Sequence, residues 1–325
     1  MKPSNLSQAL LGLIPQQLPL HIWGPPGVGK SKVVAQAASR LGLEMIDLRA
    51  VLLDPVDLRG LPKVENGRTQ WASPDFLPRE GSGVLFLDEL TSAPQLVQAA
   101  CYQLVLDRKL GEYILPSGWS VLAAGNKAAD RGVHFSMPTP LRNRFIHLEL
   151  EVDLDDWCNW ALGAGIRAEV IAFLRFRPSL LHEPGTREDN AWPTPRSWEF
   201  VSQLLSCACT AELEHDLLRG AVGDGAAAEL TGFLRTFRDL PSIDEIFLAP
   251  GRTPVPDSPA AMFAVATALA TRLNDRTVGR GLTYLDRMPA EFRVLAVRDA
   301  TQRDRLITKT PEFIRFASQH AEVLY

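Results

Sequence analysis

The feature that most constrains this chain is an octapeptide near its start: Gly24, Pro25, Pro26, Gly27, Val28, Gly29, Lys30 and Ser31. It follows an apolar stretch at 18–23 and precedes a helix-period segment at 32–41, the strand-turn-helix setting that a phosphate-binding loop requires. Three glycines let backbone N–H groups turn inward around phosphate oxygens, and the positive end of the following helix adds to their pull. Lys30 is placed to reach the β- and γ-phosphates, and Ser31 to ligate magnesium. The four specified positions arise by accident in about one chain in a hundred of this length at average composition. The strand-helix setting lowers that further.

The rest of the first 150 residues fits around such a loop. Apolar runs at 18–23, 45–48, 84–87, 120–124 and 146–150 alternate with helix-period segments, which is the pattern of βα units around a mainly parallel sheet. The run at 84–87 ends in Asp88 and Glu89, two carboxylates at the C-terminal end of a strand, where ligands gather in open α/β sheets. Downstream of a phosphate loop, Asp88 is read as the second magnesium ligand and Glu89 as the group that polarises the attacking water. The run at 120–124 ends in Gly125-Asn126, where an amide can orient water but an ordinary turn is an equal reading. Arg142 and Arg144, in Pro140-Leu141-Arg142-Asn143-Arg144-Phe145, read as surface charge or as an arginine finger directed at a neighbouring subunit's nucleotide.

Residues 61–73 interrupt the βα rhythm as a hairpin, with strands at 63–65 and 68–71 around Asn66-Gly67, a pair suited to a type I′ turn. Beyond 150 the character becomes helical. Asp153 reads as an N-cap, with Asp155 and Asp156 in the positive first turn. Proline-rich stretches at 182–195 and 250–259 read as loops, and Arg196 opens the helix after the first of them. The expected organisation is a nucleotide-binding domain at 1–150, a helical lid at 151–250 and a helical C-terminal extension at 251–325.

The constellation of phosphate loop, Leu87-Asp88-Glu89-Leu90, Ala124-Gly125-Asn126, Leu141-Arg142-Asn143-Arg144-Phe145 and Pro195-Arg196-Ser197, in that order, resembles the MoxR-type AAA+ ATPases. The resemblance covers residues 18 to about 205. It implies an α/β fold, an AAA+ P-loop domain with a five-stranded parallel sheet followed by a helical lid, with ATP and Mg2+ as cofactors. It also implies Asn126 as sensor 1, Arg144 as arginine finger with Arg142 as the alternative, and Arg196 as the sensor 2 residue of the lid. The hairpin at 61–73 resembles the family's helix-2 insertion, and 110–120, with Pro116-Ser117-Gly118 at its turn, the hairpin before sensor 1. Members act as ring-forming remodelling chaperones, usually hexameric, often with a partner carrying a von Willebrand A-type domain.

Two other readings compete. One is a nucleotide-gated assembly scaffold with little turnover, against which Glu89 and both arginines count. The other is an NTP-driven motor of a nucleic-acid-acting, restriction-like complex, possible with GTP in place of ATP. A net charge of −4 in 325 residues argues against broad duplex binding, which needs a surplus of Lys and Arg. The longest apolar run, 260–270, is about half of what a bilayer crossing needs. Cys101, Cys158, Cys207 and Cys209 form no CxxC pair, so free thiols in a cytoplasmic protein are expected.

Overall fold

In a computed structural model, residues 1–127, 135–186, 188–207 and 209–319 are described. The last residues of the expected C-terminal extension, and one position of the first proline-rich loop, lie outside them. The chain divides into two compact units, Met1–Val152 and Asp153–Tyr325.

The first unit runs α1 (Pro3–Leu13), β1 (Leu20–Trp23), α2 (Lys30–Arg40), β2 (Glu44–Arg49), α3 (Pro55–Arg59), β3 (Leu61–Glu65), β4 (Arg68–Ala72), β5 (Ser82–Asp88), α4 (Gln95–Asp107), β6 (Lys109–Leu110), β7 (Tyr113–Ile114), β8 (Gly118–Gly125), α5 (Thr139–Arg142) and β9 (Ile146–Glu149). Five strands form a parallel sheet in the order β2-β5-β8-β1-β9. Each apolar run of the sequence supplies one of them.

Strand alternation sorts the core into two layers. Val84, Phe86, Leu122, Ala124, Leu20 and Ile22 face one side, where Leu6 and Leu10 of α1 and Val33, Val34, Ala37 and Ala38 of α2 cover them. Leu85, Leu87, Val121 and Ala123 face the other, covered by Leu58 of α3, Val97, Cys101 and Leu104 of α4, and Leu141 and Phe145 around α5. Burial on both faces explains why these strands read as continuous apolar runs.

The expected hairpin is β3–β4, with Asn66 at φ 53° and Gly67 at φ 72°, both positive as a type I′ turn requires. The second hairpin differs from expectation. It is the short pair β6–β7, turning at Gly111-Glu112 with Gly111 at φ 58°, while Gly118 opens β8. Gly118 is a glycine for packing: a Cβ there would sit 2.5 Å from the carbonyl oxygen of Gly81.

The second unit is helical: α6 (Leu154–Gly163), α7 (Ala168–Phe176), α8 (Pro195–Leu204), α9 (Ala211–Val222), α10 (Asp224–Arg238), α11 (Ile243–Leu248), α12 (Pro259–Arg272), α13 (Val278–Leu285), α14 (Ala290–Arg303) and α15 (Pro311–Gln319). Asp153 caps α6 by accepting from the Asp156 N–H at 3.0 Å. The loop expected at 250–259 lies between α11 and α12. α12 packs along both α7 and α14, and a buried Arg175–Asp299 ion pair of 2.5 Å joins α7 to α14. The segments expected as lid and extension therefore share a core, because α12 buries small and aliphatic residues, Ala261, Ala264, Val265, Ala266, Leu269 and Ala270, on more than one side. Among the described residues, no helix is long and apolar enough to cross a membrane.

Candidate active site

β1 delivers the chain into the loop between Trp23 and α2. Gly27 and Gly29 take φ of 79° and 95°, a region that costs an L side chain backbone strain, so glycine is the fitting residue at both. Buried Val28 between them anchors the loop in the α1–α2 core. Lys30, first residue of α2, is buried, and its ammonium donates to the carbonyls of Gly24 at 2.6 Å and Pro25 at 2.9 Å and to Asn126 Oδ1 at 2.8 Å. Ser31 Oγ donates to Asp88 Oδ2 at 2.7 Å. Residues from three strand ends, separated by up to 96 positions, thus meet at one margin of the sheet.

Glu89 follows at φ 56°, ψ 31°, left-handed backbone for a non-glycine, with its N–H donating to Asp88 Oδ1 at 2.9 Å. Such a conformation costs of order 1 kcal/mol or more and collects at functional sites, where it fixes the direction of a side chain. Here it turns the Glu89 carboxylate out of the strand line into an exposed position. Asp47, beside this pair on β2, has its carboxyl held above the ordinary range, first by burial and then by the charges of Asp88 and Glu89, with Arg49 opposing.

Thr91 is a site residue that sequence reading missed. Fully buried, its hydroxyl donates to the Asn126 carbonyl and accepts from the Asn126 N–H, each at 3.2 Å, which clamps the backbone of that residue. The Gly125 position requires glycine for the same reason, since a Cβ would lie 2.5 Å from Thr91 Oγ1. The partners are 35 residues apart, and only the β5–β8 register brings them together.

Arg142 and Arg144 are exposed, between buried Leu141 and Phe145. Among the described residues, no hydrogen bond or ion pair engages either guanidinium. Arg196 lies exposed in the first turn of α8, in the helical unit, where Thr194 and Ser197 form a capping box. Cys101 and Cys158 are buried, Cys207 is exposed and Cys209 half-buried, and all four are free thiols.

Residues 19–145 match the family model of the AAA domain, dynein-related subfamily. Protein NorQ of Paracoccus denitrificans (strain Pd 1222) is 28% identical over 143 residues, which make up 41% of this chain and 53% of that protein. Residues 19–145 are thus similar to an AAA domain, and the likeness to NorQ accords with the MoxR-type resemblance of the motifs. The chain spans about half the length of the curated relative it matches. Among solved structures it is similar to a variant of RuvB from Thermotoga maritima, at 17% identity and a TM-score of 0.40 over 82% of this chain and 81% of that one. It is also similar to NtrX from Brucella abortus in complex with ADP, at 15% identity and a TM-score of 0.37 over 98% of this chain and 67% of that one.

Proposed function

We propose that this chain hydrolyses Mg-ATP as one subunit of a homo-oligomeric ring, expected to be a hexamer, in the cytoplasm, and uses the cycle to remodel a protein client. The observation that carries the proposal is the Ser31–Asp88 contact of 2.7 Å beside the Lys30–Asn126 contact of 2.8 Å. A hydroxyl and a carboxylate at that spacing form the hard oxygen donor set that magnesium takes while keeping several waters. When bound, magnesium supplies neutralising charge to the phosphate oxygens.

The chain's own residues supply the rest. The loop's N–H groups and the start of α2 hold the β- and γ-phosphates, and Lys30 exchanges carbonyl partners for phosphate oxygens. Glu89, held outward by its backbone, accepts the proton of the attacking water. Asn126, clamped by Thr91, orients that water as sensor 1. Arg144 neutralises charge on a neighbouring subunit's γ-phosphate, with Arg142 as the alternative, which accords with their exposure and with the lack of a hydrogen bond or ion pair to either guanidinium among the described residues. Arg196 is assigned the sensor 2 role by resemblance.

Client or partner contact falls to the two hairpins. Pro62, Val64 and Trp71 share one exposed face of β3–β4, and the Trp71 N–H donates to Glu112 at the tip of β6–β7 at 3.2 Å, so the hairpins present one continuous surface. A von Willebrand A-type protein is the expected partner class.

The test is hydrolysis with and without magnesium, alongside nucleotide titration. Glu89→Gln is expected to bind ATP as wild type does and to lose about 10²-fold or more in turnover, since the amide keeps the shape but cannot take the proton. Lys30→Ala is expected to lose binding. Near wild-type turnover by Glu89→Gln overturns the assignment of the base.

A further inference from the structure

The sheet face opposite α1 and α2 carries a group of four rings that the proposed chemistry does not use: His21, Trp23, Phe145 and His147. β1 and β9 run parallel with His21 directly opposite His147, so Trp23, two residues on, lies diagonal to His147 on the same face. The Trp23 indole N–H donates to His147 Nδ1 at 2.9 Å, and His147 Nε2 lies 2.7 Å from the carbonyl oxygen of Arg142. An indole N–H only donates, so Nδ1 is the acceptor and the proton sits on Nε2, which donates to Arg142. The His147 ring is thereby fixed at both ends in one tautomer. His21 supports it from below, with its ring centroid 4.2 Å from that of Trp23 and 5.8 Å from that of His147.

The position of this bridge is what gives it meaning. Arg142 closes α5, and its carbonyl accepts from the Phe145 N–H at 3.4 Å as well as from His147 Nε2, the shorter contact of the two. Directly beyond it comes the Asn143-Arg144 turn, and then buried Phe145. The backbone of the arginine-bearing turn is held by Leu141 and Phe145 in the core and by the Arg144 N–H donating to the Leu141 carbonyl at 3.1 Å, and the His147 hydrogen bond adds a side-chain tie from β9. On the other side, Trp23 is the last residue of β1 and adjoins Gly24, whose carbonyl accepts from Lys30 and whose N–H donates to Gly125 at 3.3 Å.

We propose that His147, held by Trp23, is a positioning residue that fixes the direction of the arginines at 142 and 144 from the strand that carries the phosphate loop. This rests on the reading of those arginines as the finger offered to a neighbouring subunit. Neither His147 nor Trp23 touches nucleotide in its own chain in this scheme. Their effect passes through the turn, so losing the bridge lowers turnover without lowering affinity.

The experiment uses the full chain carrying His147→Phe, which keeps a ring and removes both hydrogen bonds. Misplacing a catalytic group by about 1 Å costs up to about 10²-fold, so kcat is expected to fall between tenfold and a hundredfold, with KM and the binding of a fluorescent ADP within twofold. His147→Gln, which retains an acceptor and a donor, is expected to recover most of the loss. If His147→Phe does not fold, Trp23→Phe, which deletes the donor alone, serves in its place with the same readouts. Wild-type kcat in the variant used, or a loss of ADP affinity matching the loss of kcat, overturns the proposal.

Mixed assemblies separate this result from the finger reading itself. Arg144→Ala and Lys30→Ala chains, inactive alone, are expected to recover activity when mixed, through interfaces that pair an intact loop with a neighbour's intact Arg144. Adding His147→Phe to the Lys30→Ala chain is expected to abolish most of that recovery, and adding it to the Arg144→Ala chain to leave it unchanged. Equal effects on both chains overturn the positioning role. No recovery in the parent mixture overturns action between subunits, while the kcat and affinity readouts on the single variants still decide whether His147 positions the turn.

Discussion

The helical unit contains a perturbation whose outcome follows from burial alone. Arg175 and Asp299 form an ion pair of 2.5 Å with side chains 5% and 0% exposed, and Arg175 also donates to Thr267 Oγ1 on α12 at 3.1 Å. Burial pushes the Asp299 carboxyl above its ordinary range against the pull of Arg175. Removing one partner leaves the other charge buried without compensation, at a cost of about 3–5 kcal/mol, whereas replacing both with apolar groups of similar volume is often neutral or favourable. Asp299→Ala is therefore expected to lower the midpoint of the helical unit by roughly 6–20 °C, taking about 2–4 °C per kcal/mol for a unit of this size. Arg175→Met combined with Asp299→Leu is expected to be more stable than either single variant.

The assay is thermal unfolding followed by circular dichroism, paired with thiol mapping. Cys158 is buried beside the pair, and burial first of all pushes its thiol up to about 11, so it is inert at neutral pH. Loosening the α6–α7–α14 packing exposes it, and mass-spectrometric mapping after alkylation distinguishes it from the accessible Cys207 and Cys209. Nucleotide binding at the loop serves as control, since every residue concerned lies in the helical unit. An Asp299→Ala midpoint within 2 °C of wild type, with Cys158 still protected, refutes the reasoning.

Further outcomes follow from single contacts. Gly125→Ala drives a Cβ to 2.5 Å from Thr91 Oγ1 and is expected to destabilise by about 1–3 kcal/mol, with Thr91→Ala in the same chain recovering part of the loss in a denaturant titration. His21 is buried, with neither ring nitrogen hydrogen-bonded among the described residues, and its pKa is lowered to about 3, first by burial and then by His147 and Lys30. A base lowered in the folded state destabilises the fold as pH drops from its unfolded pKa near 6.5 toward 3, so His21→Leu is expected to remove a loss of roughly 3 kcal/mol at pH 4 while changing little above pH 7. Replacing residues 63–71 by a short Gly-Ser linker is expected to preserve folding and nucleotide binding while uncoupling hydrolysis from any partner, and a large drop in thermal midpoint refutes a contact role.

What the sequence made legible here was whatever a local rule imposes. The apolar runs at 84–87 and 120–124 show strands because both faces of a parallel sheet are covered, and Gly27 and Gly29 show a loop because their φ values exclude side chains. Glycine and proline mislead where their reason is not local. Pro116-Ser117-Gly118 has the composition of a turn, yet Gly118 is small because Gly81 crosses close to it, and the turn falls at Gly111, which the sequence marks no more strongly. The proline-rich stretch at 250–259 has the composition of a linker, while the core that α12 shares with α7 and α14 depends on side chains 90 or more positions apart, such as Arg175 and Thr267. Thr91 and His147 belong to the same class. Each is a polar residue whose partner is fixed by strand register, Thr91 through β5–β8 and His147 through β1–β9. In a fold of this topology the chemistry-bearing residues are written in motifs, and the residues that aim them are written in the register. The order β2-β5-β8-β1-β9 sets Asn126 beside Lys30 and His147 beside Trp23, so one strand, β1, supports both the glycine-rich loop at 24–31 and the bridge to the arginine-bearing turn.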